Sequence, residues 1–191
     1  MLDSPTLFPN PKPTATIHTI GHSTRAFDDF IAILHAHGVR AIADVRLIPK
    51  SRRYPQFADT FLADELPRAG IAYLPFKGLG GRRRPMKNSP NTGWRNESFR
   101  GYADYLQTPA FLQALDRLME SARAVPTATM CAEAVPWRCH RSLISDALIV
   151  RGWQVLDIFD AKKVAAHKLT SFAKVEGTTI TYPPIAPASP A

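Results

Sequence analysis

PTATMCAEAVPWRCHRSLISDALIVRGWQVLDIF, residues 126–159, reads as one βαβ unit. A β-branched, largely apolar run (126–133) meets a proline-bearing corner. A helix then follows over 138–152, closing on Gly152, and WQVLDIF (153–159) is strand-like again. Two strands joined through a helix run parallel with a right-handed crossover. The same alternation precedes this unit. TATIHTI (14–20) is β-branched and ends at Gly21, and VRAIADV (39–45) and IAYLPF (71–76) are strand-like. Between them, FDDFIAILHAHG (27–38) sets Phe27, Phe30, Ile31 and Leu34 at helical spacing, and DTFLADELPRAG (59–70) is helical until Pro67 disturbs it. FRGYADYL and PAFLQALDRLMESA supply one or two further helices. The pattern predicts a three-layer α/β/α domain with a mostly parallel sheet of about five strands. One domain over 15–170 is expected, between proline-rich tails at 1–14 and 171–191.

The 191 residues suffice for one sizeable core and are short for two. No apolar run is long enough for a membrane helix, and the first residues, MLDSPTLFPN, lack the basic and apolar regions of a secretory signal. Two cysteines make no disulfide framework, so a reducing cytoplasm is the expected compartment. The net charge of +8 is unevenly placed. Residues 40–100 hold thirteen Lys/Arg against five Asp/Glu, and in the rest of the chain the two signs cancel. An excess confined to one third of the chain points to an anionic partner: a nucleotide, a nucleic acid or another phosphate-bearing substrate.

Ligands of parallel sheets bind beyond the carboxyl ends of the strands. Those ends read GHSTR (21–25), DVR (44–46), KGLGGRRRP (77–85) and CAE (131–133). Gly21 allows close backbone approach, and His22 and Ser23 follow it; Ser23 or Thr24 can equally cap the next helix. Asp44 is a candidate base, ribose ligand or arginine partner. Strand alternation puts Cys131 and Glu133 on one face, and Glu133 is either a catalytic carboxylate or the ion partner of Arg138 or Arg141. Cys139 falls in the opening turns of the helix among Arg138, His140 and Arg141, a setting that lowers a thiol pKa. His140 is then a candidate acid/base. Arg46, Arg52, Arg53, Arg82, Arg83, Arg100, Arg138 and Arg141 are the candidate anion ligands. The arginines interleave with Trp94, Phe99, Tyr102 and Tyr105, which can stack bases.

Three chemistries compete for the cysteines. An anion-wrapping thiol loop needs five residues between cysteine and arginine, whereas six separate Cys131 from Arg138, with Pro136 removing an N–H. A metal site from Cys131, Cys139, His140 and His22 has suitable ligand types without a standard spacing, so no metal or cofactor is assigned from the pattern. A redox pair needs Cα atoms within about 7 Å, which a strand-to-helix corner leaves open.

TIGHSTRAFDDFIAILHAHGV (19–39), DVRLIPKSRRYPQF (44–57), LGGRRR (79–84), FRGYADYL (99–106) and MCAEAVPWRCHRSLISDAL (130–148) together resemble the bacterial and archaeal family called Domain of Unknown Function 488. The resemblance implies a compact α/β domain and a shared site of Gly21, His22, Ser23, Asp44, Arg46, Glu133, Cys139, His140 and Arg141; it implies no reaction. The expected function is an enzyme acting on a phosphate-bearing substrate, a thiol-dependent transferase or hydrolase with Cys139 as nucleophile or thiolate ligand. The alternative is a nucleic-acid-binding module with structural cysteines.

Overall fold

The computed structural model describes residues 15–50 and 53–184. The expected tail 1–14 and Arg52 lie outside them. Strands β1 (Ala15–Gly21), β2 (Ala41–Asp44), β3 (Ala72–Pro75), β4 (Thr127–Cys131), β5 (Trp153–Ile158) and β6 (Val164–Ala166) form one sheet in the order β3-β2-β4-β1-β5-β6. The first five are parallel, and β6 adds an antiparallel edge to β5. The expected five strands thus become six; β6 is too short and exposed to carry an apolar pattern.

Helices α1 (Phe27–Ala36) and α2 (Asp59–Arg68) precede α3 (Glu97–Tyr105), α4 (Pro109–Ala124) and α5 (Arg141–Ile149). Strand alternation feeds two cores. Ile20, Ile42 and Met130 face α1 and α2 through Phe30, Leu34, Leu62 and Leu66. Ile17, Ala43 and Cys131 face the other layer through Tyr102, Phe111, Leu115 and Leu143. The molecule is therefore the three-layer α/β/α domain that the pattern predicts. Pro67 does not stop α2; it sits one residue before the helix ends, where few bonds are lost. Neither Ser23 nor Thr24 caps α1, whose N-cap is Ala26.

The C-terminal segment departs from the tail expectation. β7 (Lys174–Glu176) and β8 (Thr179–Thr181) make a hairpin whose turn includes Gly177 at φ +61°, and Ile180 and Tyr182 are buried. The prolines that signal a tail begin only at Pro183; before them a β-branched run pairs and an aromatic anchors. Tyr182 packs beside Trp94 and Phe172, and its hydroxyl donates to Asp146 Oδ2 at 2.9 Å. Tyr182→Phe is expected to lower unfolding free energy by about 1–2 kcal/mol, read by urea titration. An unchanged midpoint would show that this bond contributes nothing.

Nearby, His167 is wedged between two carboxylates. Its Nδ1 lies 2.9 Å from Asp157 Oδ2 and its Nε2 3.6 Å from Asp146 Oδ1. Burial alone would lower its pKa, but the hydrogen bonds to Asp146 and Asp157 outweigh that and raise it to about 9. The cation fastens the segment after β6 to both β5 and α5.

Candidate active site

β1, β4 and β2 end level with one another: Gly21 is in register with Cys131, and Asp44 with Met130. The chain leaves β1 toward β2 and leaves β4 toward β5, with helices on opposite faces, so a crevice opens where the two connections diverge. A cleft of about 370 Å³ lies there, lined by Arg46, Arg82, Cys131, Glu133, Arg138, Cys139 and His140, with Ile48 and Phe99 as apolar surface. Its volume falls within the range of small-molecule sites.

The corner after β4 differs locally from the alternation argument. β4 stops at Cys131, so Glu133 lies in an exposed bend rather than on the strand. A 3-10 turn, Pro136–Arg138, follows, and Cys139 is extended (φ −136°, ψ 146°). α5 starts only at Arg141. Pro136 begins the short turn and the backbone straightens before the helix, which places Cys139 before its first turn instead of within it. Gly21 sits beneath this bend: a Cβ there would come within 1.7 Å of the Glu133 carbonyl oxygen.

Arg141 is almost fully buried, with 1% of its surface exposed. It is not the ion partner of the Glu133 carboxylate. Its Nη2 donates to the Glu133 backbone carbonyl and its Nη1 to Thr19 Oγ1, both at 2.7 Å. Among the described residues it forms no ion pair with a carboxylate. Its Nε has no hydrogen-bond partner among the described residues, and its positive charge stands beside Cys139. Cys131 and Cys139 are both free and buried, and their sulfurs lie within 4.8 Å of each other. The neighbouring Cys131 first, and the Arg141 charge after it, hold the Cys139 pKa down to about 6 in spite of burial. The nearness of Cys139, together with burial, pushes Cys131 up.

His140 Nε2 lies 3.0 Å from the Val45 carbonyl, which can only accept, so Nε2 carries the proton. In the neutral ring Nδ1 then presents a lone pair to Cys139 Sγ at 3.6 Å and Cys131 Sγ at 4.0 Å. Tyr102 packs against the ring, with centroids 5.0 Å apart.

Asp44 proves to be an arginine partner. Its oxygens accept from Arg46 Nε at 2.8 Å and Nη2 at 2.6 Å, from the Arg46 backbone N–H, and from the Tyr73 hydroxyl at 2.8 Å. Arg46 also points Nη1 at His22 Nε2 (3.2 Å), while His22 Nδ1 donates to the Ser23 carbonyl. Burial first, and Arg46 among the nearby charges, lower the His22 pKa to about 4, so this ring is neutral. His22 therefore orients Arg46 and stands apart from the cysteine cluster, which comprises Cys131, Cys139 and His140. Ser23, at φ 52°, continues the β1–β4 ladder by donating to the Ala132 carbonyl.

The remaining arginines disperse. Arg82 and Arg138 are exposed on the cleft rim. Arg83 lies over the Tyr105 ring, 3.7 Å from its centroid, Arg100 pairs with Glu97, and Arg53 stands over Tyr54. Of the proposed stacking aromatics, Tyr102 is wholly buried and donates to the Leu79 carbonyl, so no base can reach it. Tyr73 and the Val45 carbonyl carry no signal in the sequence, and Tyr102 signals only stacking. Each gains its role from strand order or packing that spacing along the chain does not carry.

Fold and site together define a parallel α/β domain with a thiol, imidazole and arginine cleft at the carboxyl edge of its sheet. The chain belongs to the family described as Domain of unknown function DUF488, whose model matches residues 26–148. Asp44, Arg46, Glu133, Cys139, His140 and Arg141 lie within that span; Gly21, His22 and Ser23 precede it. No curated protein and no solved structure matches the chain. Among the described residues, no helix is long and apolar enough to cross a membrane.

Proposed function

We propose that this protein is an enzyme acting on a phosphate-bearing substrate, best read as a nucleotide or nucleotide unit, bound in the cleft at the ends of β1, β2 and β4. One observation carries the reading: three arginines, Arg46, Arg82 and Arg138, line the same cleft as Cys131, Cys139 and His140. Arg46 is held rigid by Asp44 and turns one edge to the cleft, while Arg82 and Arg138 are free to close on an anion. The aromatic side supports a nucleotide. The 136–138 turn that carries Arg138 also carries Trp137, which is 63% exposed. Its ring stands 6.3 Å from that of Phe159, in a neighbouring depression of about 460 Å³. A phosphate on Arg138 would bring an attached base toward these faces. Free thiols in the cleft suit a reducing compartment, and on that ground we place the protein in the cytoplasm.

Binding of adenosine monophosphate, followed by calorimetry, tests the reading. Arg82→Ala and Arg138→Ala should each weaken binding by about 10-fold or more, as expected for loss of a charge-assisted hydrogen bond. Arg83→Ala, whose guanidinium lies on Tyr105, should leave affinity within about twofold. Equal effects of all three variants would overturn the cleft assignment. Binding confined to oligonucleotides, steeply weakened between about 50 and 200 mM salt and without turnover of any phosphate ester, would establish the nucleic-acid-binding module instead.

A further inference from the structure

We propose that Cys131, Cys139 and His140 form a three-ligand site for a zinc-type divalent metal, with the fourth position open to the cleft. The two Sγ atoms and one ring nitrogen lie within 4.8 Å of one another. Sulfur and nitrogen ligands of a tetrahedral zinc, at about 2.3 and 2.0–2.1 Å from the metal, stand about 3.6 Å apart, and two sulfurs about 3.8 Å. Cys139 Sγ and His140 Nδ1 are 3.6 Å apart and Cys131 Sγ and Nδ1 4.0 Å, while the two sulfurs, within 4.8 Å, would close by up to about 1 Å to complete the set.

Three supports around the ligands point the same way. The Nε2–H to Val45 carbonyl bond fixes the tautomer that leaves Nδ1 free, the usual outer-shell arrangement of a metal-bound histidine. Gly81 leaves room beside the ligand nitrogen: a Cβ there would lie 2.9 Å from His140 Nδ1. Arg141, buried and, among the described residues, without a carboxylate partner, places a positive charge beside Cys139, where it can offset the charge of sulfur ligands. Two thiolates and an imidazole suit zinc better than magnesium or calcium, and three protein ligands leave one position for water or substrate. All three residues line the cleft that holds Arg46, Arg82 and Arg138. A role for that open position in activating a phosphoryl oxygen or a water rests on the proposed function; the metal site does not.

The test is cobalt and zinc titration of the full-length protein, reduced, freed of metal by a chelator and kept anaerobic. One equivalent of Co²⁺ should give the intense visible bands of a tetrahedral thiolate site and a sulfur-to-metal charge-transfer band, and Zn²⁺ should displace it. Cys131→Ser, Cys139→Ser and His140→Gln should each weaken Zn²⁺ binding by about 100-fold or more, with His35→Gln unchanged. Circular dichroism melts identify any variant that has failed to fold; for such a variant, the cobalt spectrum of the wild type, with and without prior thiol alkylation, decides the ligand assignment. No charge-transfer band, or equal Zn²⁺ affinity in wild type and His140→Gln, would overturn the site. Metal binding without any adenosine monophosphate binding would sink the substrate reading alone, and the converse would sink the metal site alone.

Discussion

Replacing Gly21 by alanine is expected to destabilise the protein by about 3 kcal/mol or more, a drop in Tm of about 6–12 °C. The cause is local. The added Cβ would lie 1.7 Å from the Glu133 carbonyl oxygen, 2.6 Å from its carbon and 2.9 Å from Ala134 Cα. All three are backbone atoms, so no rotamer change relieves the overlap. The bend after β4 has to move, and that movement pulls the Glu133 carbonyl off the buried Arg141 guanidinium. Gly38→Ala is the comparison. Gly38 sits at φ +66° with nothing within 4 Å of an added methyl, so only backbone strain applies, about 1 kcal/mol. Thermal and urea unfolding of both variants measure the difference; equal losses would show that the bend yields easily.

The second large effect is expected at His167. Its folded pKa of about 9 lies above the ordinary 6.5, so its contribution to stability is fully present below about pH 6.5 and disappears as pH rises through 9. A shift of this size corresponds to about 3 kcal/mol. The groups facing the ring are Asp157 on β5 and Asp146 on α5, and the Tyr182 hydroxyl also donates to Asp146. His167→Gln keeps a donor but leaves two carboxylates without a cation. The variant should be about 3 kcal/mol less stable than wild type at pH 6 and should converge with it by about pH 9.5. Parallel stability curves across that range would show that the imidazolium is not what holds this edge.

Much of the site is legible in the sequence because strand ends gather at one edge whatever the strand order. Cys131, Cys139, His140, Arg46 and Arg138 meet there for that reason. Glu133 departs from its expected face because alternation holds only while a strand lasts, and β4 ends two residues earlier. Cys139 reads as helical because arginines and histidine tolerate a helical start; the 3-10 turn from Pro136 postpones the helix to Arg141. The lock on Asp44 is invisible in the chain, since Tyr73 reaches it only because β3 pairs with β2. Proline density hides the hairpin before Tyr182, where β-branched residues and a buried aromatic outweigh the prolines that follow.

The strand order also sets a schedule for folding. β1 pairs only with β4 and β5, and the bond from Arg141 to Thr19 joins residues 122 positions apart. During synthesis, β2 and β3 can pair early, but the first strand waits unpaired, with Ile17 and Ile20 uncovered, until the chain beyond residue 127 emerges. Such distant contacts are slow to form and leave an apolar strand open to self-association meanwhile. The cleft, built on the junction of β1 with β4, cannot exist before those two distant strands have met.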